Sequence, residues 1–325
     1  MKNSKLTGNK CPVISLFRQI AVSRRESGNY YTAANYESFI SKLILFLGKK
    51  QELFSLHEIT KEWVERYIQW LHAKHPEKPQ TVDFYFRGLR ALYNNAVEKE
   101  GLQETSIMNP FYGLRIKKPT VSKRALSPEM LGRLLNPVLR MHLSDSRART
   151  LDVLLFSLYC RGMVFYDIYN LTWNMIARDW QVQYRRSKTG QCICLSIPRE
   201  GQEIMLRYRQ SGNPYVFPFL RETAQGRFLS ERSALRRINR HLDVIGRLLN
   251  IPCKLTTYVM RHTWATLMLE AGKPVEIISQ CMGHTSIKTT QIYLSSISTA
   301  KVDSEVNDML NRFVRPEKYR KSIGI

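Results

Sequence analysis

Apolar side chains recur along the first hundred residues at intervals of three and four, the period of a helix with one buried face. Between Tyr31 and Leu47, the residues Tyr36, Phe39, Leu43, Phe46 and Leu47 share one face, and Gly48 stops the pattern. The stretch from Ile59 to Leu71 repeats it, with Thr60 as N-cap and Trp63, Tyr67, Trp70 and Leu71 as the stripe. A third amphipathic helix is predicted from about Thr81 to Val97, with Arg87, Arg90 and Asn94 on its polar face. Asn109-Pro110-Phe111 breaks the helical pattern. Residues 115–124 then carry Arg115, Lys117, Lys118, Lys123 and Arg124, with Pro119 among them. Ser127-Pro128-Glu129 reads as a helix start, a capping serine followed by proline in the first turn. Helices are predicted from there to about residue 170. Gln181 to Ser187 and Gln191 to Ile197 alternate around Lys188-Thr189-Gly190, which predicts a β-hairpin. After Pro198 the helical pattern resumes, and one helix carries an arginine-rich stretch from Arg232 to His241.

The pattern predicts a mainly α fold with one small β-hairpin (α+β). Its 325 residues suit two domains: a helical one over 1–114, a basic linker over 115–125 and a second domain over 126–325. A hydrophobic fraction of 43% is that of a globular protein. No apolar run approaches the roughly 18–20 residues of a membrane span. No cleavable leader follows the basic Met1-Lys2-Asn3-Ser4-Lys5, so a soluble, intracellular chain is expected.

Charge narrows the partners. Fifty Lys+Arg against 27 Asp+Glu give +23, spread through both halves of the chain. Self-repulsion of that size suits a polyanionic partner, and nucleic acid leads over a membrane surface because no single basic amphipathic helix holds the charge. The basic strap at 115–124 can cross a DNA backbone or serve as a solvated linker, and the total charge favours the former. Six cysteines, Cys11, Cys160, Cys192, Cys194, Cys253 and Cys281, form no CxxC pair and no zinc spacing with the seven histidines. Reduced thiols are expected, with Cys192 and Cys194 on one side of a strand in a packing role.

The candidate chemistry lies near the end. Arg261, His284 and Tyr293 stand 23 and 9 residues apart on a pattern of three short helices. Breaking a phosphodiester by displacement needs an in-line nucleophile, positive donors on the non-bridging oxygens and an acid for the leaving oxygen. The sequence lacks a carboxylate cluster suited to magnesium, and arginine forks can supply that charge instead. No cofactor or metal is expected.

Arg261-His262-Thr263-Trp264-Ala265-Thr266, Leu269-Glu270-Ala271-Gly272, Gly283-His284-Thr285-Ser286-Ile287-Lys288-Thr289-Thr290 and Gln291-Ile292-Tyr293 resemble the C-terminal signature of the tyrosine recombinases, the phage-type integrases. The helical first third, with Leu89 to Ala96 and then Asn109-Pro110-Phe111, resembles the family's core-binding domain. Arg161-Gly162-Met163-Val164-Phe165-Tyr166-Asp167 resembles the first-arginine segment of integrases on bacterial mobile elements. The resemblance implies site-specific recombination through a 3′-phosphotyrosine intermediate, with Tyr293 as nucleophile and Arg261 and Arg161 as phosphate clamps. It further implies Lys188 as the acid for the 5′-oxygen, His284 as a phosphate ligand and Asp167 as support for the arginines. Double-stranded DNA, a homotetramer on synapsed sites and the bacterial cytoplasm, at the nucleoid, follow as partner, assembly and location. Arg87, Arg90, Lys117, Lys118, Lys123 and Arg124 are the DNA-contact candidates.

Two positions depart from the family. Tyr258 stands where a histidine is common, three residues before Arg261, and at a pKa near 10 a tyrosine is a poor base at neutral pH. Val164, three residues before Asp167, stands where the first arginine is common, which leaves Arg161 a turn early and makes Arg185 and Arg186 alternatives. His262 points about 100° away from Arg261 and reads as a buried structural residue. An amphipathic stretch from Val302 to Phe313 can dock on a neighbouring subunit or on its own domain. A regulator on the same fold without the chemistry, and a relaxing topoisomerase using the same chemistry, are the competing functions.

Overall fold

The computed structural model describes residues 12–101, 109–117, 125–223 and 225–291. Two compact units divide inside the basic strap, Met1–Val121 and Ser122–Ile325. Of the strap's basic residues, Arg115 and Lys117 are exposed, whereas Lys118, Lys123 and Arg124 lie outside the described residues.

Four helices build the first unit: α1 (Val13–Glu26), α2 (Tyr30–Leu47), α3 (Lys61–Lys74) and α4 (Pro79–Lys99). Helix α1 adds to the three that the apolar period predicts, and it buries Val13, Leu16, Phe17 and Ile20 against α2 and α4. Gly48 ends α2 at φ +58°, and the Thr60 hydroxyl caps α3 by accepting the Trp63 N–H at 3.3 Å. Helices α2 and α4 approach so closely that a Cβ on Gly88 would collide with the Phe39 ring. The core is aromatic: Phe46 packs edge-on to Trp63 and Tyr67, and Phe54 stacks on Trp63. Arg87, Arg90 and Asn94 lie exposed along α4, and Arg87 pairs with the buried Asp83 one turn earlier at 2.9 Å.

In the second unit, α5 (Pro128–Leu135), α6 (Pro137–His142), α7 (Asp145–Tyr159) and α8 (Phe165–Tyr169) precede the hairpin. The Ser127 hydroxyl caps α5 by accepting the Met130 N–H at 3.2 Å. Strands β1 (Gln181–Arg185) and β2 (Cys192–Ser196) pair antiparallel, with Gln183 opposite Cys194. They are shorter than the alternation suggests, because the Arg186 N–H closes the loop onto the Gln191 carbonyl and the Gly190 N–H returns to the Arg186 carbonyl, both at 2.8 Å. Val182, Tyr184, Ile193 and Leu195 face inward. Cys192 and Cys194 are therefore exposed, contrary to the packing role expected of them, since the β2 register turns its aliphatic residues to the core.

Helices α9 (Arg199–Arg207), α10 (Glu231–Leu248), α11 (Thr257–Glu270), α12 (Val275–Cys281) and α13 (Ile287–Gln291) complete the unit. Their core joins Leu151, Leu154 and Phe156 of α7 to Ile238 and Leu242 of α10 and Val259 and Met260 of α11. Buried Asp152 fastens α7 to its neighbours, accepting from Arg140 Nε at 3.1 Å, from an Arg207 terminal nitrogen at 2.6 Å and from the Tyr208 hydroxyl at 2.5 Å. Tyr169 and Tyr215 flank the Arg221 guanidinium at 4.2 and 3.7 Å. No helix among the described residues is long and apolar enough to cross a membrane.

Candidate active site

Helix α11 turns Arg261 into the protein, where it is 3% exposed. Its guanidinium donates to the Gly162 carbonyl at 2.9 Å, to the Met282 carbonyl at 2.5 Å and to His284 Nε2 at 3.1 Å. The turn after α7 makes this possible. Gly162, at φ +70°, lies so close to α11 that a Cβ there would stand 2.9 Å from the Arg261 Cα. Trp264, Leu267 and Met268 are half-buried along the margin of α11.

A guanidinium only donates, so His284 Nε2 accepts and the proton sits on Nδ1, 2.8 Å from the buried Thr290 hydroxyl. Burial, reinforced by the positive charges of Arg261, Arg186 and Lys188, lowers the His284 pKa to about 4. The imidazole is therefore neutral at physiological pH, with its lone pair directed at the arginine. A cleft of about 350 Å³ opens beside it, between Cys192 of the hairpin and Gln280 of α12.

The hairpin brings the next groups. Lys188 is exposed at the tip. Arg186, on the other hand, is 5% exposed and donates to the Gly283 carbonyl at 2.6 Å. Asp167 on α8 is buried beneath the loop, with the Ser187 N–H at 3.5 Å from its carboxylate. Burial raises its pKa to about 6, opposed by the Ser187 N–H and the charges of Arg186 and Arg261. Tyr184 is buried in the same neighbourhood, and its phenol is pushed upward by burial and by Asp167.

Arg261, His284, Lys188 and Asp167 thus share one site, and Arg186 and Thr290 join them. Thr290 sits inside the signature run, but nothing in its residue type marks it as the histidine's partner. Arg161 is turned elsewhere. Its backbone is left-handed at φ +57°, and its guanidinium reaches the Cys194 carbonyl at 3.4 Å and the Cys281 sulfur at 3.9 Å. The arginines whose charge Asp167 feels are Arg186 and Arg261. Tyr258 is 40% exposed on the first turn of α11. His262, expected to be buried against a neighbouring helix, is half-buried and set edge-on to the Tyr258 ring at 5.2 Å, because i and i+4 lie on one face. Tyr293 and the stretch from Val302 to Phe313 lie outside the described residues.

Residues 12–111 match the phage integrase SAM-like domain and residues 129–299 the phage integrase family, which takes in the buried arginine, the hairpin and the His284 turn. The chain belongs to the phage integrase family, the tyrosine recombinases. Among its relatives, a tyrosine recombinase XerA of Pyrococcus furiosus is 32% identical over 70% of this chain and 73% of its own length. A tyrosine recombinase XerC of Erythrobacter litoralis is 26% identical over 71% and 72%. The fold of this recombinase is similar to that of the Tn1549 transposon integrase in complex with a circular intermediate DNA, at TM-score 0.66 and 16% identity over 92% of this chain and 99% of that one. It is also similar to a lambda integrase tetramer bound to a Holliday junction, at TM-score 0.65 and 15% identity over 92% and 84%. Tyrosine recombinases transfer DNA strands, so the chain is an enzyme of site-specific recombination.

Proposed function

We propose that this recombinase cuts a DNA strand by attack of the Tyr293 oxygen on a phosphodiester, forming a 3′-phosphotyrosine bond as the bond to the 5′-oxygen breaks. Lys188 delivers the proton that the 5′-oxygen needs, and Arg261 holds the non-bridging oxygens. A 5′-hydroxyl from a partner duplex reverses the step, so no nucleotide cofactor is consumed. The observation that carries this reading is Arg261 itself, a buried guanidinium fixed by two backbone carbonyls and a neutral imidazole beside the hairpin of Lys188. Its fork is pre-organised for an anion before any anion arrives. Arg161 becomes a second clamp by leaving its 3.4 Å contact with the Cys194 carbonyl, and the Tyr258 hydroxyl faces the same phosphate. Seating a phosphate there offsets the positive charges around His284, the lesser cause of its lowered proton affinity after burial, and so raises the imidazole's capacity to take up the proton released by Tyr293.

The partner in this reading is duplex DNA, gripped by basic faces in both units. The first unit offers Arg87, Arg90 and the strap with Lys117, Lys118, Lys123 and Arg124. On α10, Arg232, Arg236 and Arg240 lie exposed one turn apart within the arginine-rich stretch. Bending and joining two sites calls for a homotetramer, as in the lambda integrase complex, working in the bacterial cytoplasm at the nucleoid.

A pool of nicked duplexes with randomised sequence tests the chemistry without a known target. The nick lets the cut end diffuse away, so a covalent adduct that survives detergent is expected from wild type and not from Tyr293→Phe. Absence of the adduct, or its persistence in the variant, removes the proposal. Relaxation of supercoiled plasmid without joined products would favour a topoisomerase instead.

A further inference from the structure

Lys188 is bracketed by two residues that bond the same atom. Arg186 donates to the Gly283 carbonyl at 2.6 Å, and the Thr189 hydroxyl donates to it at 3.3 Å. Gly283 immediately precedes His284, so one carbonyl ties the lysine loop to the imidazole turn. The contact is tight and specific. Gly283 has φ +61°, and a Cβ there would meet the Ile193 methyl at 2.8 Å and the Arg186 Cδ at 3.2 Å. Arg186 is 5% exposed, one of its terminal nitrogens is engaged by the Gly283 carbonyl, and its Nε is buried without a partner among the described residues. A buried cation costs several kcal/mol of desolvation, and one backbone bond with the nearby charge of Asp167, which Arg186 shares with Arg261, offsets only part of it. Stability alone is thus a poor reason for an arginine here.

We propose that Arg186 is a positioning residue that acts through Lys188, clasping the hairpin tip to the His284 turn so that the lysine's proton meets the leaving oxygen. This inference rests on the recombinase chemistry above, with Lys188 as the acid. It separates Arg186 from the phosphate clamps, which act on the non-bridging oxygens.

The test replaces the leaving oxygen with sulfur, because a thiolate departs without needing a proton. A duplex selected from the randomised pool is made in two forms, with oxygen or with a 5′-bridging sulfur at the scissile position. Lys188→Ala is expected to lose about 100-fold or more in cleavage rate on oxygen and to recover on sulfur. Arg186→Ala should follow it, losing about 100-fold on oxygen and staying within about threefold of wild type on sulfur. Thr189→Val, a milder cut in the same clasp and independent of any folding defect in the arginine variant, should lose about tenfold on oxygen only. Equal losses of Arg186→Ala on both substrates, or no loss on oxygen, would overturn the clasp. Failure of sulfur to rescue Lys188→Ala would overturn the acid and the clasp together. A wild-type chain that forms no adduct on either duplex would overturn the recombinase chemistry itself.

Discussion

His284 and Asp167 are displaced from their ordinary protonation in opposite directions. With a pKa near 4 in the folded chain against an ordinary 6.5, His284 binds its proton more readily when unfolded. Its contribution to stability is complete above pH 6.5 and is lost as pH falls towards 4. Asp167, near 6 against an ordinary 3.8, binds its proton more readily when folded. Its contribution is complete below pH 3.8 and is lost as pH rises through 6. The two slopes oppose each other between pH 4 and 6. Asp167→Asn removes one of them, so its melting temperature should fall more steeply on acidification than that of wild type; parallel curves would refute the displaced carboxyl. The imidazole can be followed directly by NMR. His284 should titrate near pH 4 in the free chain and move upward on a nicked duplex with Tyr293→Phe, whereas an unchanged value would mean that no anion reaches it. Arg261 and His284 were legible in the sequence because their residue types and spacing carry the chemistry. Arg186 was legible only as a spare arginine, since its role depends on a carbonyl 97 residues away.

At the scale of elements, close packing sets the penalties. On α4, Gly88→Ala drives a methyl group into the Phe39 ring and should destabilise the first unit by about 1–3 kcal/mol, read as a lower denaturation midpoint. An unchanged midpoint would mean that α2 and α4 can separate freely. Asp152→Ala strips three donors of their acceptor, but Arg140 and Arg207 are part-exposed and can turn to water. A loss of about 3 kcal/mol is expected, the low end for a broken buried pair, and calorimetry would detect it. Helix periodicity foretold α2, α3 and α4 to within three residues, and the alternation foretold the hairpin. Helix α1 went unread although Val13, Leu16, Phe17 and Ile20 keep the helical period, because its first turn has no capping side chain to announce it. The faces of β2 could not be assigned from alternation alone, since cysteine and aliphatic residues both suit a buried row. The turn after α7 was equally opaque. Gly162 looked like part of the first-arginine segment, yet its absent side chain is what lets Arg261 approach. Gly162→Ala should therefore impair cleavage by displacing the arginine while leaving every reacting group in the chain.

Over the whole molecule, the excess of positive charge governs behaviour. If it meets DNA as proposed, with about six to ten phosphate contacts, affinity should fall by about 10³–10⁵ between 50 and 200 mM salt. A flat response in a binding titration would show that the charge does not face DNA. One feature of the second unit gives the opposite response when no DNA is present. Arg237 lies near Arg149 and Arg240, and burial together with Arg240, Arg237 and Arg147 pushes His241 towards its neutral form, so the arginine charges press together where α7 meets α10. Those cations repel one another through the folded state, and dissolved anions relieve the strain by gathering around them. Added salt should thus raise the melting temperature of the free chain over the range in which it loosens the complex. Stored at low ionic strength for the sake of tight binding, the recombinase would be at its least durable, because the counter-ions it needs alone are those a duplex must evict.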